Sequence, residues 1–148
     1  METKDKKEIT LWITLEKLNT HEKIREPKVL LDCGAMGLFM DKKYAEEKGF
    51  QLRKLEQPVH IRNVDGTWNI GGEITHEVDL IMDYQEHTEK ETFEICNLGK
   101  TNIIIGLTWL QKHNPTINWE NGDVRLNRCP RSCGIYAKEY RKKKAENN

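Results

Sequence analysis

The sequence has 148 residues, 36% of them hydrophobic and 32% charged, and this length suits one domain that can bury a core without disulfides or metal. Its net charge is zero, but the charge is unevenly distributed: from Arg128 onward there are seven Lys or Arg and two Glu, so this tail carries +5 and the rest of the chain carries −5. The folded part is therefore not expected to be a basic nucleic-acid surface. Because no apolar run is long enough to span a membrane and the N-terminus lacks a signal-peptide core, we expect a soluble, cytoplasmic protein. In that compartment its four cysteines are expected to be free thiols or metal ligands and not disulfides.

Two strands and a helix are predicted in the first fifty residues. Apolar side chains alternate with Thr or Trp over residues 9–15, the period of a strand with one buried face. Residues 16–28 are polar and predict a loop or a hairpin turn. Residues 29–31 are all apolar, which is typical of a buried strand. Segment 41–49 begins with Asp as a helix N-cap and ends with Gly as a stop, so it predicts a short helix.

A hairpin and a further strand are predicted next. A strand at 59–62 leads into the turn-rich segment 63–72, whose Asp-Gly and Gly-Gly pairs favour a hairpin. Another strand, predicted at 92–95, follows the hairpin. The second strand of the hairpin carries these apolar residues on one face: Ile74, Val78, Leu80 and Met82.

The last third of the chain predicts a central strand, a helix and a second hairpin. Residues 103–105 are three isoleucines, as in a strand covered on both faces, and they end at Gly106. Residues 107–113 can form about two helical turns before Pro115 ends them. Asn-Gly within residues 117–126 predicts the hairpin. The chain is therefore expected to be mainly β with two short helices.

An aspartate, Asp32, directly follows the apolar run 29–31, where a carboxylate is costly to desolvate. Gly34 beside it lets other backbone come close, as a substrate-binding loop requires. The triplet Asp-x-Gly is short, however, and taken alone it is more often a turn cap at the end of a strand. These residues by themselves leave a catalytic role and a structural role open.

The order of motifs resembles that of the retropepsin-like aspartic proteases, most closely those of gypsy-type LTR retrotransposons in fungi. The similar segments are VLLDCGAMGLFMDKKYAEEKGF for the active site, RNVDGTWNIGGEIT for the flap, and NIIIGLTWLQKHNPTINWENGDVRLNRCP for the Ile-Leu-Gly segment, helix and closing strands. The resemblance covers residues 9–133 and implies a homodimer built from a closed antiparallel β-barrel with two short helices. We predict a disordered leader at 1–8, a protease domain at 9–127, and a basic tail or linker at 128–148.

The resemblance implies an aspartic endopeptidase that cleaves a polyprotein, in the cytoplasm or within virus-like particles. In that family two Asp-Ser/Thr-Gly loops meet at the dimer axis. This chain has one matching loop, because the other similar pair, Asp65-Gly66, follows no apolar strand. Asp32 of each copy then supplies one carboxylate, the pair shares one proton, and the water between them attacks the scissile carbonyl. We expect an acidic pH optimum and no cofactor.

The same resemblance assigns three groups of residues to the site. The active-site loop beside Asp32 comprises Cys33, Gly34 and Ala35. The flap that covers the substrate comprises Val64, Asp65, Gly66, Thr67, Trp68 and Asn69. The active-site floor comprises Ile104, Ile105 and Gly106. Cys33 departs from the family, in which a Ser or Thr hydroxyl at this position braces the two loops by hydrogen bonds across the dimer. The Cys33 thiol either packs well enough in its place or, as a weaker hydrogen-bond donor, loosens the dimer.

Two other functions stay open, and a metal site is considered. Cys33 leaves open an inactive or domesticated retropepsin-fold dimerisation module, although the intact Asp32, Gly34 and Ala35 favour the peptidase. A nucleic-acid accessory domain would use the basic tail and bind with steep salt dependence. Cys129 and Cys133 are weak evidence for metal, because zinc needs about four ligands. Cys96 or His113 could join them only through an accident of folding, and the scattered histidines are expected at the surface. We therefore predict no metal site, and we predict a linker at this Cys-Pro segment.

Overall fold

The computed structural model describes residues 8–62, 68–85, 87–130 and 133. Six of its strands close a barrel in the order β1-β2-β7-β3-β6-β5, with β5 pairing back onto β1. A further strand, β4, extends the sheet at β5, and two short strands form a separate hairpin. The elements in chain order are β1 (Thr10–Lys17), β2 (Lys23–Leu31), β3 (Leu38–Asp41), α1 (Lys42–Glu47), β4 (Arg53–Arg62), β5 (Trp68–Tyr84), β6 (His87–Cys96), β7 (Ile103–Ile105), α2 (Leu107–His113), β8 (Thr116–Asn118) and β9 (Asp123–Arg125).

The barrel confirms the predicted mainly β fold with two short helices, and its strand directions are mixed. Within the described part of the barrel four pairings are antiparallel and two, β2 with β7 and β3 with β6, are parallel. The parallel pairing places Leu31 opposite Ile105. Both strands therefore end at the same edge of the sheet, so the residues that follow them, Asp32 and Gly106, come together there.

The barrel core is built from the predicted alternating faces. Leu11, Ile13 and Leu15 of β1 are almost completely buried, whereas Trp12 between them is 60% exposed. Each apolar side chain of this size contributes roughly 1.5–3 kcal/mol when fully buried. The predicted apolar face of β5 and the predicted strand around Phe93 are confirmed in the same way, with every named apolar position buried.

The prediction of a loop over 16–28 is wrong for its second half, because β2 already begins at Lys23. Leu11 pairs with Val29 and Ile13 pairs with Glu26, so two residues of β2 face one residue of β1 in a β-bulge. Pro27 lies in this bulge, where a strand does not need the N–H that proline lacks. The polar residues of β2 become a strand because they pair with β1, which local sequence does not indicate.

Local end signals position the helices and the last hairpin as predicted. The Asp41 carboxylate accepts the Tyr44 N–H at 3.3 Å and caps α1, which is followed by Gly49 at φ 70°. Asn114, in the left-handed region at φ 43°, ends α2 before Pro115. Gly122 takes φ 81° in the turn between β8 and β9. Neither of these helices, nor any other in the described part of the chain, is long and apolar enough to cross a membrane.

Candidate active site

Asp32 lies at the sheet edge where β2 and β7 end side by side. Its N–H donates to the Ile105 carbonyl at 2.9 Å, which continues the parallel pairing by one step. Its carbonyl accepts the Ala35 N–H at 3.1 Å, and its carboxylate Oδ1 accepts the Gly34 N–H at 2.8 Å. Asp32 is half-buried, while Cys33 and Gly34 are exposed. The loop is therefore held by backbone bonds and presents its carboxylate towards the surface.

The loop after Asp32 also supplies acceptors for the start of α2. The first N–H groups of a helix have no partner within the helix, and Gly106 at the N-cap has no side chain to provide one. The loop carbonyls fill this need. Gly106 N–H donates to Gly37 O at 2.8 Å, Leu107 N–H to Ala35 O at 2.7 Å, and Thr108 N–H to Met36 O at 2.9 Å.

Glycine is required at position 106, where the Asp32 loop crosses the start of α2, because the loop backbone lies against it. A Cβ built there would lie 2.5 Å from Gly37 O and 2.7 Å from Ala35 O. Both carbonyl oxygens are engaged as acceptors, so neither can move away without losing a hydrogen bond. The proximity of Gly106 to the Asp32 loop, predicted from the resemblance alone, is a feature of the structure.

The two isoleucines predicted as active-site floor face different cores. Ile105 is fully buried in the barrel core, and its carbonyl holds the Asp32 N–H. Ile104 is half-buried and packs on a small second cluster that includes Ala35 and Cys96. Burial, with smaller contributions from nearby carboxylates, raises the pKa of Cys96 to about 12, so this thiol stays neutral under the loop. The cluster that packs against Ala35 of the loop is thus built from apolar side chains and a neutral thiol.

The predicted flap is only partly within the described residues. β4 and β5 pair as an antiparallel hairpin, with Arg62 opposite Trp68. Trp68 and Asn69 begin β5. Val64, Asp65, Gly66 and Thr67 lie outside the described residues, so the flap role of this group stays a prediction.

Backbone groups of the loop were missed by sequence reasoning. The carbonyls of Met36 and Gly37 cap α2, and no residue type signals a carbonyl that accepts from a distant helix. Met36 is also 45% exposed beside the loop, although methionine is usually buried.

Residues 28–133 match the PEG10/RTL1 protease domain. The chain belongs to this family of protease domains. The matched range includes the Asp32 loop, β7 and the Gly106 crossing, so the family assignment and the geometry of the site refer to the same residues.

Two solved structures share the fold at low sequence identity. The retroviral protease-like domain of Ddi1 from Leishmania major is 16% identical, with a TM-score of 0.52, and the match covers 80% of this chain and 88% of that chain. The EIAV protease in complex with the inhibitor HBY-793 is 15% identical, with a TM-score of 0.53, covering 80% of this chain and 99% of that one. The predicted retropepsin-like fold is confirmed, whereas a gypsy-type, fungal origin stays a prediction.

Proposed function

We propose that this chain is an aspartic endopeptidase that acts on peptide or polyprotein substrates as a homodimer, with one Asp32 carboxylate from each copy. The observation that carries the proposal is the Asp32 loop, whose carboxylate is held by its own Gly34 N–H at the end of two paired strands. The sequence contains one such loop, so one copy offers half of a carboxylate pair.

The surface around Asp32 supports a second copy at this edge. Cys33 and Gly34 are exposed, and Met36 is 45% exposed, although the loop makes backbone hydrogen bonds to the end of β7 and the start of α2. A two-fold axis through the loop would bring Asp32 against its symmetry mate and would cover the same residues on both copies. The exposed apolar and thiol side chains would then be removed from water.

The chemistry of the pair follows from charge repulsion. Two carboxylates in hydrogen-bond contact cannot both be ionised cheaply, so they hold one proton between them. The ionised member takes a proton from the bound water while the protonated member donates to the scissile carbonyl oxygen. The water oxygen bonds to the carbonyl carbon, forming a tetrahedral diol. Collapse of the diol breaks the C–N bond, and the leaving nitrogen receives a proton from the pair.

Specific activity should fall on dilution and should fall steeply when wild-type chains are mixed with Asp32→Asn chains. Both effects follow because each site needs two copies of Asp32. In an equal mixture roughly a quarter of randomly formed dimers carry two wild-type chains. Cleavage of a peptide library at acidic pH, measured alongside sedimentation over the same concentrations, checks both expectations.

The mixing experiment distinguishes a shared site from an independent one. If each chain were active alone, the equal mixture would retain about half of the wild-type rate, because only the variant chains would be lost. Activity that is independent of concentration while sedimentation reports monomers would contradict the dimeric site. Pepstatin sensitivity of the cleavage serves as the control for contaminating proteases of other classes.

A second candidate is an inactive dimerisation module with the same fold, and Cys33 is the observation that favours it. Cys33 is exposed in the loop, where the resembling family carries a hydroxyl that braces the two copies. A thiol is a weaker hydrogen-bond donor than a hydroxyl. A dimer that forms at the concentrations tested but cleaves no peptide would support this alternative.

Cys33→Ser should leave the dimer unchanged or tighten it. A neutral hydrogen bond contributes about 0.5–1.5 kcal/mol, and the two-fold axis makes two of them, so Kd could fall roughly tenfold to a hundredfold. Sedimentation of both proteins at one pH measures the change. A clear weakening with Ser would show that the loops meet through apolar contact and that the hydroxyl brace does not apply to this chain.

A further inference from the structure

Four potential metal ligands from three separate parts of the sequence meet on the side of the barrel where α2 ends. His87 begins β6, His113 is the last residue of α2, and Cys129 and Cys133 follow β9. Each of the four offers one ligand atom, and these atoms all lie within 4.8 Å of one another. We refer to these four residues as the His–Cys cluster.

The expected surface position of the histidines is wrong here. His113 is fully buried, and the His87 side chain is only 9% exposed. Cys133 is buried and Cys129 is half-buried. The Cys133 N–H donates to the Pro130 carbonyl at 3.1 Å.

Three nitrogen–sulfur distances in the cluster fit a tetrahedral ion. Zn–N of about 2.1 Å and Zn–S of about 2.3 Å place neighbouring nitrogen and sulfur ligands about 3.6 Å apart at tetrahedral angles. His113 Nδ1 lies 3.4 Å from Cys129 Sγ and 3.6 Å from Cys133 Sγ. His87 Nδ1 lies 3.5 Å from Cys129 Sγ. All three separations agree with the tetrahedral value to within about 0.2 Å.

Glu89 supports both imidazoles from behind. Its Oε1 lies 3.2 Å from His87 Nε2, and its Oε2 lies 3.2 Å from His113 Nε2. The ring nitrogens are not aligned for full hydrogen bonds, so these contacts are chiefly electrostatic. The Trp109 indole N–H donates to Glu89 Oε1 at 2.8 Å and anchors the carboxylate. Carboxylates behind ligating histidines are a recurrent feature of metal sites, because they keep the proton on the far nitrogen and leave the near nitrogen free to bind.

Charge accounting also favours an ion within the His–Cys cluster. Two thiolates and one Zn²⁺ sum to zero beside two neutral imidazoles, so an ion would cancel the charge of the thiolates and leave only that of the Glu89 carboxylate behind them. A second possible ligand group, consisting of Glu89, Glu91 and His113, shares one histidine with the cluster. It offers three ligands, and its Glu89 is already engaged by Trp109. Thiolates select Zn²⁺ over the harder ions that carboxylates prefer.

We propose that His87, His113, Cys129 and Cys133 form a closed structural Zn²⁺ site. Four protein ligands leave no open position for a reacting water, so the role is structural. The ion would tie the segment after β9 to the end of α2 and to the start of β6. This proposal does not depend on peptidase activity, since the site contains no residue of the Asp32 loop.

The full chain, purified with reductant, should retain about one Zn²⁺ per molecule by elemental analysis. Removal of the ion by a chelator should lower Tm by about 5 °C or more, and added Zn²⁺ should restore it. After exchange, Co²⁺ should show the visible bands of a tetrahedral ion and the near-ultraviolet band of cobalt–thiolate charge transfer. The wild-type spectrum alone tests the ligand set, even where a variant fails to fold.

Matched variants locate the ion. Cys129→Ser and Cys133→Ser should each remove much of the thiolate band. Cys33→Ser should leave the band unchanged, because Cys33 is an exposed thiol outside the cluster. Glu89→Gln should weaken Zn²⁺ affinity about 10- to 100-fold while all four ligands remain. The proposal is overturned by absence of stoichiometric metal, by Co²⁺ bands without thiolate character, or by a Cys129–Cys133 disulfide that persists in reductant.

Discussion

Asp32→Asn should abolish peptide hydrolysis and leave the fold intact. Asn has nearly the same shape, and its side-chain oxygen can still accept the Gly34 N–H that Asp32 Oδ1 accepts at 2.8 Å. The amide can neither hold the shared proton nor take one from water. General acid–base catalysis contributes about 10²–10⁴-fold, and both members of the pair are lost together, so residual activity should be below about 1% of wild type.

Three measurements make the Asp32→Asn result specific. Thermal unfolding should give the same Tm as wild type, and sedimentation should show the same oligomeric state as wild type. Asp83→Asn is a suitable control, because Asp83 lies on β5 opposite Thr88, outside the Asp32 loop, and it should retain full activity. Residual cleavage above a few per cent by a folded, pepstatin-sensitive Asp32→Asn protein would contradict the catalytic role of Asp32.

Gly106→Ala should destabilise the domain by about 3 kcal/mol or more and should abolish activity. The added Cβ would lie 2.5 Å from Gly37 O and 2.7 Å from Ala35 O. Real Cβ atoms essentially never approach other atoms so closely, and both oxygens belong to backbone that caps α2. Relief of the clash requires the loop to separate from α2, which breaks the capping bonds and displaces Asp32. Urea denaturation compares the free energies of unfolding.

Gly37→Ala is the matched control for Gly106→Ala. A Cβ at Gly37 would meet only the Phe39 ring, at 3.6 Å, which is ordinary van der Waals contact. We therefore expect its effect on the free energy of unfolding to stay within about 1 kcal/mol. Equal effects of the two variants would show that the loop yields easily and that close packing at Gly106 does not determine the position of Asp32.

Local patterns in the sequence determined much of the fold. The alternation around Ile13 predicted β1 because a strand with one buried face exposes every second side chain to water. Asp41 and Gly49 marked the ends of α1, since capping groups and left-handed glycines act within a few residues. The position of Asp32 directly after an apolar strand is likewise a local pattern that the sequence shows. Its candidate catalytic role was predicted from the order of motifs around it.

Long-range pairing decided the rest. Lys23 to Glu26 form a strand because they pair with β1, and the four-residue strand β3 is too short to show an alternating pattern. The contact between Gly106 and the loop carbonyls depends on the parallel pairing of β2 with β7, whose residues lie more than seventy positions apart.

The His–Cys cluster shows the same limit most clearly, because its members come from three separate parts of the chain. Sequence alone determined the alternating strands, the turns marked by glycine and the candidate aspartate, because those signals depend on near neighbours. Only the tertiary structure decided which ends meet and which buried ligands face one another, because closure of the barrel, and not local preference, sets those distances.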